Sequence, residues 1–328
     1  MGGIHNMQFT IVGAGALGTI LGAHLLAGGH GVTMIARGAR GRQIAAEGLR
    51  VRGLRDFDLP CTVVEPGTPV AAPGVLIYTV KTYQMDAALA VLATLDARAV
   101  FSVANGVMKN EQLAKVYGRE RVLGCMANVS GELLANGEVT FTRNVRMPLG
   151  PLPGYRGPHA SAIAAAIDAA GVITPAVADI ECLEWSKFAG WLAMFTLAVM
   201  ARTITGVYLE NPGLATLAVK LIREAVALAQ ARGITLVDQS PIPVLSVAHA
   251  SDLSAAVEVL REVGRNMLVQ APRHRMSALQ DLEAGRRLEV HETLGYAARE
   301  ARRLEVPTPT IALCYEIISA IDSLPRGG

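Results

Sequence analysis

Residues 8–36 read QFTIVGAGALGTILGAHLLAGGHGVTMIA, and the fold follows from this stretch. Gln8 to Val12 is short, apolar and β-branched, the composition of a strand buried in a parallel sheet. Glycines follow, then an apolar helix from Ala16 to Ala27 that Gly28 and Gly29 bring to a stop. Val32 to Ala36 is again strand-like, so one β-α-β unit of about thirty residues accounts for the whole stretch. Gly13-Ala14-Gly15-Ala16-Leu17-Gly18 forms a G-x-G-x-x-G pattern. Isolated, the pattern is weak; set between a strand and a helix, it predicts a turn that holds a dinucleotide. Gly13 permits the tight turn, Gly15 lets the backbone approach a pyrophosphate, and Gly18 lets helix and strand pack closely. The helix N-terminus adds free amides and a positive dipole end. The competing possibility is a glycine-rich turn with no ligand.

Downstream come a polar helix near Arg40 to Glu47 and alternating segments at Leu49–Val51 and Leu59–Val64 that suggest a hairpin. A strand over Gly74–Val80, a helix over Met85–Leu95 and a strand over Ala99–Val103 follow. Repeated β-then-α order predicts an α/β, Rossmann-type doubly wound sheet. Val122–Val129, Val139–Phe141 and Val145–Leu149 are expected to add strands at its far side, and His159–Ala170 a helix. From about Ile180 helical periodicity takes over, at Glu184–Ala201, Leu214–Arg232, Ser251–Leu268, Ser277–Arg286, His291–Leu304 and Pro309–Ile321. The expected organisation is a Rossmann domain over 7–178 and an all-α C-terminal domain over 179–328. Met1 to Asn6, ahead of a second methionine at Met7, are set aside as an extended start.

Composition excludes several classes. The formal net charge of +2 comes with no stripe of Lys and Arg, so neither nucleic acid nor an anionic membrane is an expected partner. Cys61, Cys125, Cys182 and Cys314 lie far apart with no C-x-x-C, which fits reduced thiols in a cytoplasmic protein. No histidine pattern has metal-ligand spacing, and no metal is expected. The longest apolar run, Gly190 to Ala201, is too short to span a bilayer and reads as a buried helix. A strand begins almost at once, so no secretory signal is expected.

The dinucleotide expected is NADPH/NADP+. An NAD site places an acidic residue after the second strand; here Arg37-Gly38-Ala39-Arg40 follows, and no acid occurs between Gln8 and Ala46. Arg37 can face a 2′-phosphate, with Arg40 assisting. The alternative is that both are solvated loop charges. Four further polar spots interrupt apolar segments: Lys81-Thr82 after one strand, Asn105-Gly106 after another, Lys187 at the start of an apolar helix, and Ser277 with Glu289 flanking SALQDLEAGRRLE. Residues just past strand carboxyl ends face the ligand crevice of an open α/β sheet, which places Lys81 and Asn105 near a nicotinamide. Each residue also has a plainer reading. Lys187 can snorkel from a helix start, Ser277 can cap a helix with Gln280 completing a capping box, and Asn105-Gly106 can be an ordinary turn.

Taken together, GAGALG with a downstream arginine, VKTYQ, ANGV, a lysine opening an apolar helix, and SALQDLEAGRRLE resemble the ketopantoate reductase (2-dehydropantoate 2-reductase) family over nearly the whole chain. The last segment is the most specific of these marks. The resemblance implies that Lys187 is the general acid, that Glu289 holds or relays its proton, and that Asn105 positions substrate and nicotinamide. It implies that Lys81 touches cofactor or substrate and that Ser277 binds the substrate's polar end. An ammonium suits this chemistry, because hydride addition to a ketone builds an alkoxide that needs both a proton and charge stabilisation.

The chain departs from the family where asparagines stand one and two turns after the lysine. Here those positions are Trp191 and Phe195, on one helix face with Lys187. Aromatic rings cannot replace amide recognition of hydroxyl groups, so a bulkier apolar 2-oxo acid or ketone is the expected substrate. The alternative is that both rings are core packing. Ala278 replaces the usual methionine of the signature, and His291 stands where the family commonly has an aspartate. The expected function is NADPH-dependent reduction of a 2-oxo acid or ketone. The alternatives are ketopantoate reductase proper, an NADP(H) sensor without turnover, and a hydroxy-acid or opine dehydrogenase. Apolar faces in the helical half leave a homodimer open.

Overall fold

The computed structural model describes residues 6–239 and 241–324. Residues 1–5 of the segment set aside above, and the last four residues of the expected second domain, lie outside the described residues. The chain divides into two compact units between Glu181 and Cys182.

The first unit opens with β1 (Gln8–Val12), α1 (Ala16–Ala27), β2 (Gly31–Ile35) and α2 (Gly38–Glu47). Then come β3 (Leu49–Gly53), β4 (Phe57–Leu59), β5 (Thr62–Val64), β6 (Val75–Tyr78), α3 (Met85–Leu92) and β7 (Ala99–Ser102). It closes with α4 (Met108–Tyr117), β8 (Leu123–Cys125), β9 (Asn128–Leu133), β10 (Val139–Arg146), β11 (Leu149–Pro151) and α5 (Ala160–Ala169). Five strands form one parallel sheet in the order β5-β2-β1-β6-β7. Its strands read as continuous apolar runs because both faces are covered. Along β6, Val75 and Ile77 enter one hydrophobic core while Leu76 and Tyr78 enter another. That alternation is the period-2 signature of a strand between two layers.

Two sequence expectations are corrected here. Of the later strands, only Val122 reaches the parallel sheet, by a single parallel bridge to Val100 on its edge strand β7. β4-β3-β10-β9 make a separate four-stranded sheet, and β8 pairs with β11 in a two-stranded one. The expected hairpin also divides: β3 pairs antiparallel with β4, but β5 leaves them and becomes the parallel edge strand beside β2. The second sheet explains why α1 is apolar all round. A Cβ on Gly22 would meet Leu49 Cδ1 at 2.9 Å and Met34 Cε at 3.2 Å, so the helix is gripped between both sheets. Its His24 ring packs edge-on against Phe57 and Phe141 of the second sheet, at centroid distances of 4.8 and 5.4 Å.

The regular elements among the described residues of the second unit are all helices: α6 (Ile180–Ala201, which begins just before the division), α7 (Thr205–Glu210), α8 (Pro212–Ala231), α9 (Val244–Ala248), α10 (Leu253–Gln270), α11 (Ser277–Glu283), α12 (Leu294–Arg303) and α13 (Pro309–Ser323). The ends of α8 and α10 follow capping chemistry, with Asn211 Oδ1 accepting from Leu214 N and Asp252 Oδ1 from Ala255 N. Helix α6 is the core of this unit: every residue from Phe188 to Val199 is buried. Gly190 abuts Ile242 and Val244, and Tyr208 of α7 reaches Met194. The long apolar run is therefore a core helix, and no described helix is long and apolar enough to cross a membrane.

Candidate active site

In the first unit, the turn between β1 and α1 has the shape its glycines predict. Gly13 has φ +105°, and a Cβ there would meet Val80 Cγ1 at 2.8 Å. A Cβ on Gly18 would lie 2.1 Å from the Gly13 carbonyl oxygen, so helix and strand touch through these two residues. Above Gly15, by contrast, a Cβ would find nothing within 4 Å. Gly15 is also the N-cap of α1, in extended conformation, with no side chain capping the first amides. A close-packed floor, an open space and unclaimed helix-end amides fit the diphosphate of a dinucleotide. Ala14 is buried in the core below, and Ala16 and Leu17 are half-buried on the first turn. Thr79, which the sequence reading passed over, donates to the Gly13 carbonyl at 2.8 Å and so fixes the turn.

The two arginines after β2 separate into different jobs. Arg37 is exposed at the N-cap of α2, on the rim where the sequence reading puts a 2′-phosphate. The Arg40 guanidinium, expected to assist it, makes hydrogen bonds within the first unit. Its Nε donates to Ala14 O at 3.0 Å, Nη1 to Gly137 O at 2.6 Å and to Gln43 Oε1 at 3.0 Å, and Nη2 to Thr19 Oγ1 at 3.0 Å. Arg40 is thus a strut from the phosphate turn to the β9–β10 hairpin.

Lys81 and Asn105 lie just past the carboxyl ends of β6 and β7, both half-buried. The structure ties their loops together, since Thr82 Oγ1 donates to the Asn105 carbonyl at 3.2 Å. Behind Asn105, Lys109 at the start of α4 is only 2% exposed, with Nζ donating to Ala104 O at 2.8 Å and Cys125 O at 2.6 Å. Sequence reasoning missed α4 and this lysine, for Met108 to Gln112 reads as a polar loop and nothing in it announces burial.

In the second unit, Lys187 is half-buried on α6, at the near end of the run of buried residues. Its neighbours Trp185 and Phe188 form an aromatic cluster with Tyr296 of α12, with centroid separations of 5.5 Å for Trp185–Phe188 and 6.3 Å for Phe188–Tyr296. Arg232 stacks over Trp185 at 5.1 Å and pairs with Glu300, whose carboxyl is held below its ordinary range by hydrogen bonding to Arg303 and by the Arg232 charge. Glu289 sits in the turn that leads into α12, with a side chain 5% exposed and a backbone carbonyl that accepts from Thr293 Oγ1 at 2.6 Å. The aromatic cluster therefore ties α6, which carries Lys187, to α12, which follows the turn holding Glu289. In the same turn, Glu292 is also buried, and burial pushes its carboxyl up; this second acid was not singled out from sequence.

Trp191 and Phe195 differ in position. Phe195 is 1% exposed and packs as core, its ring 5.4 Å from that of Trp191, which keeps 9% exposure. Both rings therefore belong to the core, Trp191 at its margin. Ser277 is half-buried at the first residue of α11, but the N-cap is Met276 and no side-chain cap bond is made, so the expected capping box is absent. His291 is exposed and paired with Tyr315 Oη at 2.9 Å. Burial pushes the Cys61 and Cys314 thiols up to about 11, which makes them poor nucleophiles. No group of metal-ligating side chains occurs among the described residues.

Comparison with known proteins places this geometry. Residues 9–154 match the family described as ketopantoate reductase PanE/ApbA, and residues 179–322 match its C-terminal counterpart. The chain is 29% identical to a 2-dehydropantoate 2-reductase of Archaeoglobus fulgidus, over 95% of this chain and 97% of that protein. It is 26% identical to one of Pyrococcus horikoshii, over 98% and 99%. Among solved structures, a PanE/ApbA family ketopantoate reductase from Ralstonia eutropha JMP134 superimposes with a TM-score of 0.80 at 24% identity, covering 96% of this chain and 98% of that one. A D-mandelate dehydrogenase solved with NADH and anilino(oxo)acetate superimposes with a TM-score of 0.81 at 18% identity, over 96% and 98%. With both halves of the sequence matched and relatives aligned from end to end, this chain is an oxidoreductase of the ketopantoate reductase family.

Proposed function

We propose that the chain reduces a 2-oxo acid, or a closely related ketone, to its hydroxy product with NADPH as reductant. The observation that carries this is the open, uncapped helix-end cradle over Gly15 in the first unit; in the second unit, a half-buried lysine at the edge of a buried helix face supports it. Bound NADPH supplies a hydride. The residues from Gly13 to Gly18 receive its phosphates, and Arg37 pairs with the 2′-phosphate through its planar fork. The Arg37 rim favours NADPH over NADH.

Asn105 orients substrate and nicotinamide, and Lys81 contacts the same ligands. Lys187 Nζ donates its proton to the carbonyl oxygen as negative charge develops there, and Glu289 holds and replenishes that proton. Ser277 binds the polar end of the substrate. Trp191 offers an indole where relatives of the family carry an amide, which favours an apolar or aromatic group on the 2-oxo acid. The D-mandelate dehydrogenase of like fold, solved with an aryl-bearing oxo acid derivative, supports that direction. Four free cysteines accord with a reducing, cytoplasmic setting, and the exposed Leu313 and Ile317 on α13, with Leu324 just past its end, accord with a homodimer.

Lys187→Ala is expected to lower kcat by about 10²- to 10⁴-fold, the usual range for a lost general acid, with NADPH affinity unchanged. Unaltered turnover in that variant would overturn the mechanism. Assaying ketopantoate beside phenylglyoxylate and branched 2-oxo acids separates the substrate alternatives: best activity on ketopantoate selects ketopantoate reductase proper. NADPH binding without oxidation by any of them selects a sensor.

A further inference from the structure

We infer that Lys109 is a positioning residue for Asn105. The inference rests on the role of Asn105 given above. Helix α4 turns Lys109, Gln112, Leu113 and Tyr117 inward, so a lysine occupies a core position where an aliphatic side chain would be expected. Burying an ammonium is costly unless its donors are met. Here they meet carbonyls at two places: Ala104 O at 2.8 Å, which is the peptide joined to Asn105, and Cys125 O at 2.6 Å at the end of β8.

Two more buried side chains act on the same short segment. Ser102 Oγ accepts from Ala104 N at 3.1 Å, and Thr82 Oγ1 donates to Asn105 O at 3.2 Å. All three side chains are essentially inaccessible, at 0–2% exposure. The peptide groups on either side of Asn105 are thus each held by one side chain, Lys109 before it and Thr82 after it, while Ser102 holds the peptide one residue further back. A turn has no internal ladder of hydrogen bonds, so its shape is set by such contacts. With the Lys109 and Thr82 bonds in place, the Asn105 Cα cannot shift without breaking a buried hydrogen bond. Lys109 also joins the segment after β7 to the end of β8, so the support of Asn105 is tied to strands of two sheets rather than to the loop alone.

The test is Lys109→Met, which keeps the stem and removes the donors, made in the native chain and in an Asn105→Ala background. Displacement of a positioned group by an ångström is worth about 100-fold, so kcat is expected to fall about 10- to 100-fold in the native chain. No further fall is expected in the Asn105→Ala background. Amide hydrogen exchange at residues 104–107 should accelerate while β1 amides keep their protection. Equal losses of kcat in both backgrounds, or exchange accelerating equally in β1, would overturn the inference and make Lys109 a general stabiliser. If Asn105→Ala leaves kcat intact, the role of Asn105 is wrong, and localised exchange then decides the pinning on its own. Should Lys109→Met fail to fold, Ser102→Ala removes the acceptor of the Ala104 amide and is read in the same two backgrounds, with a smaller loss expected.

Discussion

The loop after β7 and the turn of α6 that carries Lys187 both present one polar residue from a buried foundation, and they do it by opposite means. Around Asn105 the foundation is polar: Ser102, Thr82 and Lys109 direct hydrogen bonds at individual peptide groups. Around Lys187 it is aromatic: Trp185, Phe188 and Tyr296 pack ring against ring. A helix already satisfies its own backbone, so non-directional packing is enough to place it. A turn leaves its amides and carbonyls open, and directional contacts must do the placing. Buried polar networks specify geometry sharply and fail badly when one member goes, whereas ring packing spreads its contribution over many weak contacts.

The largest effect that would break this contrast is on stability. Phe188→Ala is expected to cost about 3–5 kcal/mol in urea unfolding, as for other buried aromatics. Preserved stability with lost activity would show that Phe188 acts on chemistry instead. A smaller effect sharpens the contrast between the two arginines of the first unit. Arg37→Ala should weaken NADPH binding by about 10- to 100-fold, the equivalent of about 1.5–3 kcal/mol for a charged hydrogen bond, and leave NADH nearly unaffected in fluorescence titration. Equal losses for both cofactors would remove the 2′-phosphate from its role.

The smallest effect concerns His24, a polar ring placed by aromatic packing. Its Nδ1 lies 2.8 Å from the Ala170 carbonyl, which can only accept, so Nδ1 carries the proton and Nε2 is left without a partner in its apolar box. Desolvation lowers its pKa from 6.5. The unfolded chain then takes up the proton first as pH falls, so the stabilisation is full above pH 6.5 and is lost below it, until the lowered folded pKa is passed. The slope is at most about 1.4 kcal/mol per pH unit. Urea unfolding at pH 7.5 and 5.5 should show less acid sensitivity in His24→Gln than in the native chain.

Much of the first unit was legible in the sequence, because β1, α1 and β2 carry strong periodicity punctuated by glycine. The second sheet was not, since a short strand shows which residues alternate but not which partner it finds. α4 was hidden by the polar sequence of its first turn, and with it Lys109. In the candidate site, the types and spacing of Lys81, Asn105, Lys187 and Glu289 were readable. What was not readable was depth: Arg37 and Arg40 look alike as letters, and only packing separates the exposed arginine from the engaged one, while Trp191 and Phe195 are both buried. Ser277 shows the converse error, a residue type suited to capping that stands one position too late.

Arg40 has a consequence for anyone who would re-engineer cofactor choice in this scaffold. Because one guanidinium joins Ala14 and Thr19 to the Gly137 hairpin, the segment after β2 contains one exposed, replaceable cation and one that ties neighbouring elements together. Libraries that randomise the whole 37–40 segment would mix changes to that tie with changes at the rim, while those that hold Arg40 constant and vary Arg37 with its exposed neighbours Gly38 and Ala39 would test the proposed 2′-phosphate contact by itself.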